Sequence, residues 1–574
     1  MRTFRLALAQ VDATVGDVDG NARLCLDAIE QAREAGADLV ALPEAVLTGY
    51  PAEDLLLKPS FVRANMRAVE KVAAEARGLC AVVGYAHLGS DLHNSAAVCA
   101  DGEVKGVYHK HFLPSYGVFD EDRYFRRGTT APVYVVAGTR VGICICEDLW
   151  YPSGPAEWQS WAGAEVIVNL NGSPFHAGKL EARRTMLATR AADHVVALGY
   201  VNLVGGQDEL VFDGGSMVFD ADGNLTAAAP QFSEHLLVVD VDVEQVARER
   251  LHDPRLRKVA APPSGVSTPE VVVSGEQAAN REPVVAPVAP LLTLEEEVYG
   301  ALVTGLRDYV RKNRFERVHI GMSGGIDSSL TATVAADALG AERVTGVVLS
   351  SRYSSAHSRD DAYELARRLG IEVLDIPIEE PHRAVEELLA PHLDGTPGRD
   401  VALENVQARI RGLLWMALSN ATGSLMITSG NKSEMATGYA TLYGDMAGGF
   451  ALLKDVPKTL VYRLARWRNE RGSPIPEHVL TKPPSAELRP DQTDQDSLPD
   501  YDTLDAILEA YVEQDRSVAE IVALGHEADT VKRVVAMVDR NEYKRRQAPP
   551  GVKVTARAFG RDRRLPITNR FVEG

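Results

Sequence analysis

The stretch GMSGGIDS, residues 321–328, constrains the fold of this chain more tightly than any other. An apolar, strand-like run from Val318 to Gly321 leads into it, and a helix-like run from Ser328 to Leu339 leads out. A strand that turns through glycines straight into a helix is the repeating unit of a parallel sheet with helical crossovers. Such a turn presents free backbone N–H groups and the positive end of a helix dipole, and so attracts phosphate. Gly324 and Gly325 lack a Cβ, which lets an anion approach the backbone. No lysine closes the glycine run, so the turn is not a P-loop.

The surroundings extend this pattern. Thr293 with Glu296 forms a capping-box signature at the head of LEEEVYGALVTGLRDYV. After the glycine turn come RVTGVVLSS, a helical HSRDDAYELARRLG, the run IEVLDIPI, a long helix over 401–421, and SLMITSGN ending in another strand-to-loop turn. A doubly wound parallel sheet is expected for 293–574, with phosphate turns at the C-terminal ends of its strands. Residues 1–255 alternate short β-like runs (Phe4 to Gln10, Asp38 to Pro43, Ala81 to Ala86, Val141 to Cys146, Val166 to Leu170, Val195 to Val204, Leu236 to Val241) with helical stretches such as Asn21 to Ala35. That half is α/β or layered α+β. Between the two, residues 256–292 are rich in Pro, Val and small residues and read as an extended linker.

The chain has 574 residues, room for two or more cores. Its net charge of −19 disfavours nucleic acid as a partner. Against that acidity, residues 544–570 carry nine Lys or Arg and only Asp562, so this segment points either to an anionic ligand or to a solvated tail or subunit contact. The N-terminus has no long apolar signal region, and no run approaches the roughly 18 apolar residues of a membrane span. A soluble, cytoplasmic protein without a membrane partner is therefore expected. The five cysteines all fall in the first quarter of the chain and form neither a disulfide framework nor a zinc pattern. Cys144 and Cys146 alternate with Ile143 and Ile145, which places the two thiols on one strand face.

Three patterns carry chemistry in the first half: Glu44 closing LVALPE, Lys110 in YHKHFLPSYGVFDE, and Cys146 in GICICEDLW. Amide hydrolysis needs a nucleophile, a proton acceptor and a positive group near the developing oxyanion. A Cys/Glu/Lys set supplies all three without histidine. For each of these residues alone, a core thiol, a strand-end carboxylate or a surface lysine is the alternative. In the second half, Ser323 and Ser328 offer hydroxyls to phosphate. Asp327 beside a polyphosphate calls for a cation such as magnesium, with a simple helix N-cap as the alternative.

The first three patterns resemble the nitrilase superfamily over nearly all of residues 1–255, which implies an αββα sandwich. By that resemblance Cys146 attacks, Glu44 is the general base and Lys110 stabilises the tetrahedral intermediate. Glu121 corresponds to a second acid, and Tyr116, Ser173 and Lys179 fall at glutamine-contacting positions. The glycine turn resembles the ATP-pyrophosphatase (PP-loop) family. Together with ENVQARIR, TSGNKSEMATGYATLYGDMAGGF, LKDVPKTLVYRLARW, TKPPSAEL, QTDQDSLPDY and EYKRRQAPPG, the chain is similar from end to end, linker excepted, to the glutamine-dependent NAD synthetase family.

That resemblance implies that glutamine yields ammonia at the first site, and that ATP adenylates deamido-NAD at the second. Gly321, Met322, Ser323, Gly324, Gly325, Ile326, Asp327 and Ser328 would hold ATP, with Ser429, Lys458 and Ser485 as further contacts. Asp327 and Glu434 would approach Mg2+, and Asn405, Glu434 and Lys544 would contact deamido-NAD. Homo-oligomers, commonly octamers in bacteria, are implied as well. The competing expectations are a PP-loop amidotransferase acting on a different carboxylate or carbonyl acceptor, and a non-catalytic scaffold.

Overall fold

The computed structural model describes residues 2–258, 262–275, 281–490, 492–571 and 573. They cluster into two compact units, one of residues 1–207 with 211–292, the other of residues 208–210 with 293–574. Among the described residues no helix is long and apolar enough to cross a membrane.

The first unit is built on two sheets. One runs in the order His235–Asp242, Thr3–Gln10, Leu39–Ala41, Cys80–Leu88, Leu92–Ala100, Glu103–His109. The other runs Leu225–Ala228, Met217–Phe219, Ala197–Asn202, Val166–Asn171, Thr139–Ile145, Val133–Val136, Glu270–Val272. Phe4, Leu6, Leu8, Val82 and Val98 of the first sheet share one core with Val141, Ile143, Val168 and Leu170 of the second. Such facing apolar rows are what bind two sheets into a sandwich. The helices Val18–Glu34 and Pro59–Glu75 cover the outer side of the first sheet. Helices Pro155–Trp161 and Lys179–His194 cover the second, over a separate core that holds Cys144, Ile167, Leu187 and Leu198.

Three expectations are corrected here. Cys144 and Cys146 do not share a face: Cys144 lies in the helix-side core, Cys146 in the core between the sheets with Ile143 and Ile145. The strand stops at Ile145, and a positive φ of 41° at Cys146 turns the thiol out of the alternation. The apolar run from Val195 to Val204 breaks at Leu203 into two strands, Ala197–Asn202 and Val204–Gln207. Residues 256–292 are more than a connector, because Glu270–Val272 pairs in parallel with Val133–Val136 and extends the second sheet.

The second unit carries a five-stranded, all-parallel sheet in the order Glu372–Asp375, Val344–Val348, Val318–Gly321, Leu425–Thr428, Phe450–Ala451. By chain order that is 3-2-1-4-5. The direction of winding reverses between Val318–Gly321 and Leu425–Thr428. Ligands bind outside the strand ends at such a switch point. The helix Ile326–Leu339 that follows the first strand has ten of its fourteen residues buried, which is why its sequence is small and apolar on every side. Helix Leu294–Lys312 opens at the expected Thr293–Glu296 capping box. A helical core of Leu504, Ile507, Val512, Ile521, Val531, Val534 and Val538 completes the unit.

Candidate active sites

Glu44, Lys110 and Cys146 each lie just beyond the C-terminal end of a strand in the first unit, after Leu39–Ala41, Glu103–His109 and Thr139–Ile145. Lys110 Nζ donates to Glu44 Oε1 at 2.7 Å and to the Glu121 carboxylate at 2.9 Å, with all three side chains buried. Burial works against the lysine charge, but Glu121 and Glu44 outweigh it and hold the ammonium protonated. Burial raises Glu121 to about 7, with Lys110 opposing the shift and Glu44 adding to it. The Cys146 thiol is pushed well up, first by burial and then by Glu44, while Lys110 pulls the other way. A neutral thiol therefore rests beside a carboxylate able to take its proton and an ammonium able to face an oxyanion.

Several residues that the sequence reading passed over hold this set in place. Asn94 Nδ2 donates to Glu44 Oε1 at 2.7 Å, and the Gly172 N–H donates to Glu44 Oε2 at 2.8 Å. Tyr50 donates its hydroxyl to Glu121 at 2.8 Å. A Cβ at Gly84 would lie 2.2 Å from the Pro43 carbonyl oxygen, so only glycine lets this strand pass beneath Glu44. No local pattern marks these positions. The Tyr116 hydroxyl donates to Glu147, next in sequence to Cys146, at 2.9 Å, and its ring is mostly exposed. Ser173 is buried next to Gly172, its N–H donating to Asn202. Lys179 opens the helix Lys179–His194 and donates to the Pro174 carbonyl at 2.7 Å. Of the three, Tyr116 lies close enough to Cys146 to be influenced by its charge.

In the second unit the glycine turn sits at the switch point. Gly324 has φ of 76°, and a Cβ there would lie 2.1 Å from the Ser358 carbonyl oxygen. The Met322 N–H donates to the Val347 carbonyl at 2.9 Å. Gly325 N–H donates to Ser323 Oγ, which lies 3.1 Å from Ser328 Oγ. Ile326 starts the helix, and Asp327 stands in its first turn. Asp327 is no N-cap: its carboxylate reaches across the switch point to accept from Asn431 Nδ2 at 2.9 Å and from Lys458 Nζ at 2.5 Å.

Lys458 Nζ also lies 3.4 Å from Glu434 Oε1. Burial opposes the charge on Lys458, and Asp327 and Glu434 override it. Burial raises Glu434 to about 8; Lys458 opposes that shift, and Asp327 and Asp494 add to it. Asp494 is a further member that the sequence reading left without a role. Its Oδ2 accepts from Tyr501, while among the described residues its buried Oδ1 has no hydrogen-bond partner.

The remaining predicted residues ring this centre. Ser429 lies just past the strand Leu425–Thr428. Ser485 is exposed in a loop where it accepts from the Glu487 N–H, and Glu487 in turn accepts from Ser358 Oγ at 2.6 Å. Asn405 accepts from Thr441 Oγ1, and Lys544 donates to the carbonyls of Gly438 and Ala440, so both grip residues 438–441. The basic segment is engaged in part by internal ion pairs. Arg545 and Arg546 pair with Glu542, Lys553 with Asp562, Arg557 with Asp515 and Arg563 with Asp539. Five of its nine cations are held in this way, which a count along the chain does not reveal.

A family model described as carbon-nitrogen hydrolase matches residues 5–250, and one described as NAD synthase matches residues 298–548. The glutamine-dependent NAD(+) synthetase of Thermotoga maritima is 49% identical over 578 aligned residues that span 100% of both chains. That of Aquifex aeolicus is 47% identical over 99% of this chain and 100% of its own. The solved structure of glutamine-dependent NAD+ synthetase from Acinetobacter baumannii, in complex with adenosine diphosphate, matches with a TM-score of 0.75 at 40% identity over 99% of each chain. With both halves matched and the likeness running the full length, the chain belongs to the glutamine-dependent NAD(+) synthetase family, ligases that form a carbon–nitrogen bond.

Proposed function

We propose that the two units run two linked reactions with the residues named above. In the first unit Glu44 takes the Cys146 proton, and the sulfur attacks the side-chain amide of glutamine. Lys110 faces the tetrahedral oxyanion, with Glu121 holding it in place. Glu44 passes the thiol proton to the amide nitrogen, and ammonia leaves with the electron pair of the broken C–N bond. Water, giving a proton through Glu44 to the departing sulfur, then releases glutamate from the thioester. Tyr116, Ser173 and Lys179 bind the glutamine. In the second unit the turn 321–328, with Ser429, Lys458 and Ser485, holds ATP. Asn405, Glu434 and Lys544 hold deamido-NAD.

There the nicotinate carboxylate attacks the α-phosphorus of ATP, and pyrophosphate departs with the electron pair of the broken P–O bond. Ammonia then attacks the acyl carbon. AMP departs with its electron pair, and the nitrogen gives up a proton. A carboxylate needs this activation because hydroxide is a poor leaving group. The observation that carries the first reaction is the buried Lys110, 2.7 Å from Glu44 beside a thiol that both side chains influence.

Magnesium fits the second site. Asp327 and Glu434 supply hard oxygen donors, and one lysine is shared among Asp327, Glu434 and Asp494, whose carboxylates carry more negative charge than it can balance. Among the described residues no group of three or more His, Cys, Asp or Glu side chains is placed to hold a metal ion, so phosphate and water would complete the magnesium shell. When bound, magnesium offsets charge on the departing pyrophosphate. The chain works as a homo-oligomer. Exposed Leu388, Val401 and Leu413, on the neighbouring helices Glu379–Leu393 and Arg399–Thr422, give it apolar surface to bury. Light scattering that returns a monomer mass refutes this.

The test of function is product analysis with ATP, magnesium, deamido-NAD and amide-labelled glutamine. Label is expected in the nicotinamide group, with AMP and pyrophosphate formed alongside. Label that appears only when XMP replaces deamido-NAD would assign a different acceptor. Cys146→Ala is expected to lose the glutamine-driven reaction and keep the ammonia-driven one. Loss of both, or of neither, overturns the division of labour.

A further inference from the structure

Arg411 lies on the helix Arg399–Thr422, deeply set but partly open to solvent, and among the described residues no carboxylate is in contact with it. Among the described residues its one hydrogen bond runs from Nε to the Leu349 carbonyl, at 3.0 Å. Other buried cations of this unit have acids in direct contact: Arg545 has Glu542, Lys432 has Asp455 and Glu513, Lys458 has Asp327. Burial pushes Arg411 down to about 10, with only weak relief from Glu487 and Asp445. An uncompensated buried guanidinium is costly, and its planar donors match phosphate and carboxylate.

Its position can be traced from the neighbours. Leu349 follows the strand Val344–Val348, whose Val347 pairs with Gly321 and accepts from Met322 N–H in the glycine turn. One turn along the same helix, Trp415 packs where a Cβ on Gly321 would stand, at 2.5 Å. One turn back, Gln407 donates to the Leu488 carbonyl and fixes the loop that carries Ser485 and Glu487. Glu487 meets Ser358, which in turn walls Gly324. On the far side, Asp445 acts on both Arg411 and Lys544. Arg411 therefore stands between the nucleotide turn and the segment gripped by Asn405 and Lys544.

We propose that Arg411 clamps the nucleotide α-phosphate and the incoming carboxylate where the two substrates meet. Two anions must approach each other in the adenylation step, and a fixed guanidinium offsets that repulsion as charge builds on the phosphorus oxygens. This rests on reading 321–328 as the nucleotide turn.

The test uses the full chain with ammonia as nitrogen source. It measures deamido-NAD-dependent exchange of labelled pyrophosphate into ATP, kcat and KM for ATP, glutamine hydrolysis and the thermal midpoint. Arg411→Met keeps the apolar stem and removes the charge. It is expected to lower exchange and kcat by about 10²–10³-fold, with little change in KM, glutamine hydrolysis or thermal midpoint. Arg411→Lys is expected to recover about tenfold or more of that loss, which a purely structural role would not give. Exchange within about threefold of wild type in Arg411→Met overturns the inference, and so does a loss that lysine leaves unrecovered or that tracks a fallen thermal midpoint. Gly324→Ala separates the two readings: if it too retains exchange, the nucleotide-turn assignment fails, and if it loses exchange while Arg411→Met keeps it, only the clamp fails.

Discussion

Lys110 shows how much one buried charge decides. It lies between Glu44 and Glu121 with essentially no solvent access, so its removal strands two carboxylates in a low-dielectric core. Breaking a buried pair in this way costs about 3–5 kcal/mol. Lys110→Met should therefore lose glutaminase activity and also lower the denaturant midpoint of the first unit, whereas Cys146→Ala should leave that midpoint nearly unchanged. An unaltered midpoint in Lys110→Met would show that the triad is not held as described. The motifs around Glu44, Lys110 and Cys146 were legible because each sits in a distinctive local string. Asn94 and Gly172 were not, because they meet Glu44 from 50 and 128 residues away in sequence. Lys458 was read as an ATP contact, but its position beside both Asp327 and Glu434 appears only when three strand ends converge.

Among elements, the strands Cys80–Leu88, Leu92–Ala100 and Glu103–His109 hold a feature hidden from any linear pattern. His93 stacks on His109 with ring centroids 4.1 Å apart, and His87 Nδ1 lies 2.8 Å from His109 Nε2. Burial first, then the neighbouring imidazoles His93, His87 and His111, lowers His109 to about 3, and burial and His93 lower His87. No carboxylate offsets these shifts. As pH falls below 6.5 the unfolded chain takes up protons that His109 and His87 refuse in the folded one. Stability is therefore whole above that value and declines steadily toward the folded value near 3.

Asn94 lies in one of these strands and Lys110 just past another, each next in sequence to a stacked histidine. Glutaminase activity should therefore fail on acidification together with the unfolding midpoint of this unit, and His109→Phe should flatten that dependence. Equal acid slopes in wild type and variant would remove the stack from the account. Helix Leu294–Lys312 illustrates the opposite case. Its Thr293–Glu296 box acts between residues three apart and was legible, and Thr293→Ala should cost about 1 kcal/mol in the denaturant stability of the second unit.

For the whole molecule, each unit carries its own chemistry, and conditions should separate them. On the proposal that Asp327 and Glu434 hold magnesium, a chelator is expected to stop amide formation whether glutamine or ammonia supplies the nitrogen. It should leave glutamate release measurable, because the reaction proposed for Glu44, Lys110 and Cys146 uses no metal. If ammonia-driven synthesis persists in excess chelator, the metal role of Asp327 and Glu434 is wrong.

The chain order of residues determined what acts over short range: the glycine turn at 321–328, the capping box at Thr293, the alternation of apolar strands, and the residue types that amide hydrolysis and adenylation need. Tertiary structure alone decided what acts at long range. It placed the sheet's reversal between Val318–Gly321 and Leu425–Thr428, so that Asp327 faces Asn431 and Lys458. It also turned Cys146 away from Cys144, spent part of the basic segment on internal ion pairs, and left Arg411 without an acid in contact among the described residues. Hydrogen bonds and apolar contacts between neighbours in sequence form wherever the local pattern allows. The partner of a buried charge depends on which distant strand end packing brings beside it.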